Sequence, residues 1–137
     1  MKPVFLDTNV LLYSISRDDA EAPKRERAIE LLERDDCAIS AQVLQEFYVQ
    51  ATRPSRAHPV PHELAAGLMR AWSRCRVQET TGILVHAALD LKARYGFAYW
   101  DAAIVAAALA QGCSTLFTED LPHEQVVEGV RIVDPFR

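Results

Sequence analysis

The segment Val4-Phe5-Leu6-Asp7-Thr8-Asn9 decides the fold, because an apolar run here ends in an acid and a helix-like run follows at once. A short apolar run that is bounded by a turn predicts a buried strand. Open α/β sheets bind their ligands beyond the carboxyl ends of their strands. We therefore expect Asp7 to lie at the ligand-binding edge of a sheet.

Strand-like and helix-like segments alternate along the rest of the chain. This alternation predicts a parallel α/β sheet that helices cover on both faces. One predicted helix has its own stop signal, because Gly96 follows an apolar pattern of helical spacing. The predicted strands are Pro3 to Asp7, Cys37 to Ser40, Arg76 to Glu79, Ser114 to Thr118 and Val130 to Val133, and the predicted helices are Asn9 to Ser16, Ala22 to Arg34, Ala41 to Gln50, His62 to Ser73, Gly82 to Tyr95 and Tyr99 to Leu109.

The segment from Arg53 to Pro61 contains three prolines. Proline fixes its own backbone and disfavours helix at the residue before it, so an extended loop between two helices is predicted. The prolines also break the helix that His58 and His62 would need to act as a metal-binding pair. We interpret this segment as a mobile loop that faces a partner.

Three further acids stand at positions comparable to that of Asp7. Glu46 lies in the helix that follows the second predicted strand, and Asp120 follows the strand that ends at Thr118. Asp101 lies near the start of a helix so apolar that it should be buried on most sides. We expect this fold to bring all four acids to one edge of the sheet.

Each acid alone has an ordinary structural explanation. An Asp at a strand-to-helix turn is commonly a helix N-cap, and a Glu on a helix is commonly solvated. The set has a chemical explanation, because a hard divalent cation prefers oxygen ligands and would cancel the repulsion among the carboxylates. Such a cation stabilises the negative charge that develops during attack on a phosphodiester. The sequence therefore indicates a metal-dependent phosphodiesterase.

These motifs also carry a family resemblance. Val4 to Asn9, Gln45-Glu46-Phe47, Tyr99 to Ala108 and Thr118-Glu119-Asp120-Leu121 resemble, in this order, the signatures of the PIN-domain ribonucleases. More narrowly, they resemble the VapC toxins of prokaryotic toxin–antitoxin pairs. The resemblance covers essentially the whole chain, and it implies a parallel-sheet α/β/α sandwich of PIN-domain type that occupies residues 1–137 as a single domain.

The resemblance also implies a role for each site residue. Asp7 and Asp101 are expected to be direct or nearly direct metal ligands, while Glu46 and Asp120 hold metal-bound waters or a second ion. Either Glu46 or Asp120 would accept the proton of the attacking water. Glu119 competes with Asp120 as the fourth acid, and the spacing of the family motif favours Asp120. The implied catalytic and metal-binding residues are Asp7, Glu46, Asp101 and Asp120, supported by Thr8, Asn9 and Thr118.

The function that the resemblance implies is that of a Mg²⁺- or Mn²⁺-dependent endoribonuclease, the toxin of a type II toxin–antitoxin system. Its partners would be an RNA substrate, a cognate antitoxin and a second copy of the chain in a homodimer. The antitoxin is expected to place a basic side chain among the acids, and its contact surfaces are predicted at Val10 to Ile15 and Pro54 to Met69.

Two other classes of function remain open. A catalytically silent PIN-like module would keep the fold and use its groove to bind RNA or a protein. An aspartate-nucleophile phosphatase would also begin with a strand that ends in Asp, but Asn9 occupies the place of the second Asp that this chemistry needs. The intact set of four acids favours an active nuclease over the silent module.

Composition fits one compact domain, because half of the 137 residues are hydrophobic and can bury a sizeable core without disulfides. The longest apolar run, Ala102 to Ala110, is too short to span a membrane, so we expect a cytoplasmic protein. Cys37, Cys75 and Cys113 are odd in number and have no C-x-x-C spacing. We interpret them as buried thiols in a reducing compartment, and their equal separation as coincidence.

The net charge of −4 is unusual for an enzyme that acts on nucleic acid, but a metal would neutralise the four clustered acids. Tyr48, Tyr99 and Trp100 are candidates for stacking on exposed bases, although we expect Tyr48 and Trp100 to lie in the core. Three groups of basic side chains are candidates for phosphate contacts, or for ordinary solvated faces. The groups are Lys24, Arg25 and Arg27; Arg53 and Arg56; and Arg70, Arg74 and Arg76.

Overall fold

The computed structural model describes residues 2–137, and its strands form one sheet. Counted along the chain, the strands are β1 (Val4–Leu6), β2 (Cys37–Ser40), β3 (Arg76–Gln78), β4 (Thr115–Phe117), β5 (Val126–Val127) and β6 (Val130–Val133). Their order across the sheet is β3-β2-β1-β4-β6-β5. Neighbouring strands pair in parallel except for β5 and β6, which are antiparallel. The predicted parallel sheet is confirmed, and β5 is an addition that the sequence did not indicate.

Helices cover the sheet, and each predicted helix is present with slightly different ends. The helices are α1 (Thr8–Ser14), α2 (Ala22–Leu32), α3 (Ala41–Thr52), α4 (His62–Trp72), α5 (Gly82–Tyr95) and α6 (Tyr99–Ala110). A short 3-10 helix (Asp19–Glu21), which was not predicted, precedes α2. The helices fall into two packed groups, because α1 contacts α2 and α3, α3 contacts α4, and α5 contacts α6. Together with the sheet they make the predicted α/β/α fold.

Local signals fix the ends of the helices. Ser40 caps α3, since its side chain accepts a hydrogen bond from the Val43 N–H, and Thr81 caps α5 in the same way. Gly96 ends α5 with φ of 78°, a left-handed conformation that favours glycine. The predicted stop at Gly96 is therefore confirmed, and the segment from Arg53 to Pro61 is the predicted loop between α3 and α4.

The core lies between the sheet and the helices that pack on it. The side chains of Phe5 and Leu6 in β1 are fully buried, and so is Leu116 in β4. Residues 102–108 of α6 are all buried, which confirms that this helix is enclosed on most sides. The helix α6 contacts both β2 and β4, and Asp101 in its first turn lines the same pocket as Asp7, which follows β1.

The order of the strands puts a topological switch point between β1 and β4. From β1 the chain builds outward to β2 and β3 on one side, and later to β4 and β6 on the other. Leu6 pairs with Phe117, so the residues that follow these strands, Asp7 and Thr118, come out side by side. Open α/β sheets bind ligands at such a point.

The prediction of three buried thiols is wrong for Cys37 and Cys75, which form a disulfide with Cα atoms 5.3 Å apart. The parallel register pairs Ala38 with Arg76, so the two residues before them lie opposite one another on neighbouring strands. Cys113 remains a thiol, and burial raises its pKa to about 11. All three cysteines stand at the start of a strand or within two residues of one.

Candidate active site

The acidic residues that the sequence singled out line one pocket of about 330 Å³ beside the ends of β1 and β4. The strand β1 delivers Asp7, and the segment after β4 delivers Asp120. Glu46 comes from α3 and Asp101 from the first turn of α6. The other residues that line the pocket are Thr8, Asn9, Leu12, Tyr13, Glu21, Gln50, Arg56, Trp100, Ile104 and Glu119.

Asp7 is both a helix cap and a wall of the pocket. Its Oδ1 accepts a hydrogen bond of 2.7 Å from the Thr8 N–H, which caps α1. Its Oδ2 accepts a hydrogen bond of 2.8 Å from the Thr118 hydroxyl. Only 5% of the residue is exposed to solvent. The ordinary explanation as an N-cap is therefore correct for Asp7, and it does not exclude a role in the pocket.

Thr118 and Asn9 connect Asp7 to Asp120. The fully buried Thr118 hydroxyl accepts hydrogen bonds from the Asn9 amide at 3.0 Å and from the Asp120 N–H at 3.1 Å while it donates to Asp7. The same Asn9 amide donates to the Asp120 carboxylate at 3.1 Å. The three residues predicted as supporting groups, Thr8, Asn9 and Thr118, thus hold the acids in place.

Glu46 enters the pocket from the middle of α3. Its Oε1 accepts a hydrogen bond of 2.7 Å from the Thr8 hydroxyl, and its Oε2 accepts one of 3.4 Å from the Gln42 amide. The Thr8 hydroxyl therefore does not cap a helix. Its hydrogen bond to Glu46 instead connects the start of α1 to α3. Glu46 is a partly buried residue with specific partners, so the simple explanation of a solvated surface Glu does not apply.

Burial and nearby negative charges raise the pKa of two carboxyls in this pocket, those of Asp7 and Asp101. Burial is the larger cause for Asp7, and the nearby charges of Asp120 and Glu46 add to it, while hydrogen bonds from Thr118 and Thr8 oppose it. The net effect raises the pKa of Asp7 from 3.8 to about 7. Burial, then Asp120 and Glu46, also raise the pKa of Asp101. The charges of Asp120 and Glu46 therefore act on both Asp7 and Asp101.

Glu119 faces the same pocket but has its own partners. Its Oε1 accepts a hydrogen bond of 2.7 Å from the Tyr13 hydroxyl. Its Oε2 lies 3.6 Å from the Lys24 ammonium, which also donates to the Tyr13 oxygen and lies 4.8 Å from the centre of that ring. Because Lys24 neutralises Glu119, the geometry favours Asp120 as the fourth acid of the cluster.

The residues of the pocket fit a hard cation in their donor chemistry. They offer carboxylate oxygens, and the buried Asn9 Oδ1 has no hydrogen-bond partner within residues 2–137. Over the same residues, no three His, Cys, Asp or Glu side chains converge as a ready-made ligand set. Hydrogen bonds to Thr8, Asn9 and Thr118 orient the carboxylates instead. Binding an ion would therefore require some of these side chains to turn.

Some of the basic and aromatic residues named from the sequence lie at the pocket, and others make contacts elsewhere. Arg56 of the proline-containing loop lines the pocket. Arg74 instead donates to the main-chain carbonyls of Leu32 and Arg34, which ties α2 to the start of β3. Trp100 is 65% exposed at the pocket, so the expectation that it lies in the core is wrong. It extends from the first turn of α6, before the buried part of that helix begins.

Tyr13 lies within the predicted contact surface Val10 to Ile15, but the sequence analysis did not identify it as a residue of the acid pocket. It lies one helical turn after Asn9 in α1, so the two side chains share a face of that helix. The four-residue spacing of Asn9 and Tyr13 was therefore a signal in the sequence that could have identified Tyr13. Its partner Glu119 is 106 positions away in the sequence, and nothing local to either residue indicates their contact.

Comparison with known proteins gives one family. The model of the PIN domain matches residues 4–128. A comparison with curated proteins found no match. Across the described residues 2–137, no helix is long and apolar enough to cross a membrane.

Solved structures with the same fold include toxins and toxin–antitoxin complexes. A toxin–antitoxin complex from Klebsiella pneumoniae matches with a TM-score of 0.71 and 21% identity, over 97% of this chain and 98% of that one. VapC20 from Mycobacterium tuberculosis, a Sarcin-Ricin loop cleaving toxin, matches with a TM-score of 0.67 and 22% identity, over 85% and 91%. DNA-bound VapBC from Salmonella typhimurium matches with a TM-score of 0.64 and 25% identity, over 98% and 99%.

Proposed function

This chain belongs to the PIN-domain family, and we propose that it is a Mg²⁺- or Mn²⁺-dependent endoribonuclease, the toxin of a type II toxin–antitoxin system. One observation carries the proposal. Asp7, Glu46, Asp101 and Asp120, which are far apart in the sequence, line one pocket at the switch point of the sheet. The similarity to VapC20, a Sarcin-Ricin loop cleaving toxin, supports RNA cleavage as the reaction.

Asp7 and Asp101 would hold the metal, with Glu46, Asp120 and the Asn9 Oδ1 completing an oxygen-rich set of donors. When bound, the metal would stabilise the negative charge that develops at phosphorus and on the departing oxygen. It would also offset the burial, and the repulsion from Asp120 and Glu46, that raise the pKa of Asp7 and Asp101.

The chain's own residues would orient the carboxylates and move one proton. Thr118 and Asn9 fix the positions of Asp7 and Asp120 through hydrogen bonds. We assign acceptance of the proton from the attacking water to Glu46 or Asp120, because Asp120 is exposed and Glu46 is only partly buried. Asp7 is too enclosed for that exchange, at 5% exposed.

A pocket with this charge also suits the proposed antitoxin, whose basic side chain would pair with the acids. Relatives with the same fold have been crystallised in toxin–antitoxin complexes. Within the proposed contact surface at Val10 to Ile15, the side chains of Val10 and Leu11 are fully buried. The antitoxin would therefore contact Leu12, Tyr13 and the region from Pro54 to Met69. The same proposal includes a single folded domain, assembly into a homodimer and a location in the cytoplasm.

The test is cleavage of a panel of single-stranded and structured RNAs by purified protein with Mg²⁺, Mn²⁺ or EDTA. We expect metal-dependent cuts by the wild type and none by Asp7→Asn. Glu119→Gln is the matched control, because it removes one carboxylate from the same pocket outside the proposed metal-binding set. Equal cutting by wild type and Asp7→Asn would contradict the proposal. RNA binding without cutting would establish the silent binding module instead.

A further inference from the structure

An exposed indole stands beside the acid pocket. Trp100 is 65% exposed, although it opens a helix whose residues 102–108 are all buried. The Gln42 amide donates a hydrogen bond of 3.2 Å to the Trp100 carbonyl, and the Tyr99 ring packs edge-on against the indole at 5.1 Å. The indole is thus placed by its neighbours at the surface, where it forms part of the wall of the acid pocket.

Trp100 also lines a second groove of about 300 Å³ along α3. This groove is continuous with the acid pocket, because Glu46, Gln50 and Trp100 line both. Its other walls are mostly polar or cationic. The full set of lining residues is Gln42, Gln45, Glu46, Val49, Gln50, Arg53 and Trp100.

From this arrangement we propose that the groove binds one unpaired nucleobase of the RNA substrate, with Trp100 as the stacking platform. The inference rests on the nuclease function proposed above. Aromatic side chains stack on any base because every base has a π-face. The exposed amides of Gln45 and Gln50 can each donate and accept hydrogen bonds at the edge of that base. Arg53 supplies a cation for the neighbouring phosphate.

The groove selects the class of substrate. A base can lie on the indole only if it leaves its own helix, so a single-stranded segment or a loop fits and a continuous duplex does not. The next phosphate along the strand would then lie at the acid pocket, which Arg56 also lines. The groove therefore sets where the chain cuts as well as which form of RNA it accepts.

The position of the groove and its hydrogen-bonding side chains favour a nucleotide as the occupant. Three glutamine amides, the Arg53 guanidinium and the Glu46 carboxylate surround one aromatic side chain and the exposed Val49. A base has an apolar face, which the indole can cover, and a polar edge, which the amides can bond. Glu46, Gln50 and Trp100 also line the acid pocket, so an occupant of the groove lies next to the proposed site of cleavage.

The first experiment uses the intrinsic fluorescence of the two tryptophans. Trp72 is 8% exposed and packs against Phe47 in the core, so added RNA cannot reach it. The protein used is Asp7→Asn, which is expected to leave the RNA uncut. A single-stranded oligoribonucleotide should quench the Trp100 emission of this variant. An abasic strand of the same length and the matching duplex should quench little, and the added variant Trp100→Phe should abolish the signal. Equal quenching by the abasic strand would overturn the proposal.

The second experiment measures cleavage kinetics of a single-stranded RNA. Loss of one stacked base on replacement by alanine weakens binding between about fivefold and about a hundredfold. We expect Trp100→Ala to raise KM within that range with kcat unchanged, since stacking acts equally before and during the reaction. Trp100→Phe keeps an aromatic face and should recover most of the affinity. Ile83→Ala is the control, because Ile83 is 84% exposed on α5, outside both pockets.

Other results separate this inference from the proposed function. If the wild type fails to cut any RNA but single strands still quench Trp100, the nuclease proposal fails and the base-binding groove stands. If Trp100→Ala cuts with an unchanged KM, the groove proposal fails and the nuclease stands. If Trp100→Ala changes the oligomeric state by light scattering, the indole belongs to an interface between protein chains and the groove proposal fails.

Discussion

The acid pocket has two sides that differ in how their negative charge is balanced. On one side, Glu119 accepts a hydrogen bond from Tyr13 and lies beside the Lys24 ammonium. On the other side, burial and mutual repulsion raise the pKa of Asp7 and Asp101. We call these the compensated side and the uncompensated side. Adjacent acids in the sequence, Glu119 and Asp120, therefore have different electrostatic partners.

We interpret the uncompensated side as the place where a positive charge from outside the chain would bind. A fold gains nothing in stability from placing several carboxylates together, since repulsion and desolvation both disfavour the ionised forms. Such an arrangement is expected where function requires it. On the compensated side, the Lys24 ammonium already lies beside Glu119. We therefore expect a cation from outside the chain to bind less favourably there.

The largest expected effect is on cleavage, and it should separate the two sides. Removing a group that acts on the reacting atoms typically costs about a hundredfold to about ten-thousandfold in rate. We expect Asp101→Asn to lose activity by that amount in a steady-state assay of RNA cleavage. Glu119→Gln should change the rate by no more than about fivefold, the scale of a partly exposed ion pair.

The thermal stability of both variants would be measured beside their activity, so that unfolding is not mistaken for lost chemistry. If Glu119→Gln lost as much activity as Asp101→Asn while it remained folded, the distinction between the two sides would be wrong.

The second effect is a pH dependence of stability in EDTA. Because the pKa of Asp7 is raised from 3.8 to about 7 in the folded state, the folded protein binds this proton more tightly than the unfolded chain. Its contribution to the free energy of unfolding is fully present below about pH 4 and is lost as the pH rises through about 7. The loss should reach about 4 kcal/mol at most.

Chemical denaturation at several pH values measures this contribution as the difference between the wild type and Asp7→Asn. Carboxylates with lowered pKa, such as Asp36 and Glu124, give the opposite slope, but they are the same in both proteins and cancel. A constant difference across this pH range would show that Asp7 titrates normally. We also expect Asp7→Asn to be at least as stable as the wild type near neutral pH without metal.

The third effect is stabilisation by the metal itself. At a concentration one hundred times its dissociation constant, a ligand that binds only the folded state adds about 2.7 kcal/mol to the free energy of unfolding. We expect Mg²⁺ or Mn²⁺ to stabilise the wild type and Glu119→Gln by similar amounts. Asp7→Asn and Asp101→Asn should gain much less. Equal gains in all four proteins would place the bound ion away from the uncompensated side.

The sequence was sufficient for the elements that rest on local patterns. The strand before Asp7, the stop at Gly96 and the loop after α3 follow from apolar runs, glycine and proline. The strand β5 was missed because two residues are too short to show a pattern. Trp100 was assigned to the core because the apolar pattern of α6 surrounds the whole helix and gives no sign that its first turn extends past the sheet.

Local sequence patterns could not predict the contacts between segments that are far apart in the chain. The pairing of Cys37 with Cys75 needs the knowledge that β2 and β3 are neighbours, which the strand order alone supplies. The same is true of Tyr13 and Glu119, whose contact depends on how α1 packs beside the segment after β4. Asp7 and Asp120 were easier to predict, since parallel strands bring their carboxyl ends to one edge whatever the order of the strands.

The smallest expected effect tests the compensated side from within. Tyr13→Phe removes the hydroxyl that donates to Glu119 but keeps the ring, which packs edge-on against Phe136 at 4.7 Å. A partly exposed hydrogen bond of this kind contributes about 1 kcal/mol, so urea denaturation should show a loss of that order. Lys24 still lies beside Glu119 in this variant, and the carboxylate therefore stays paired. If Tyr13→Phe also weakened stabilisation by Mg²⁺, Glu119 would have to take part in binding the ion, and the two sides of the pocket would form one site.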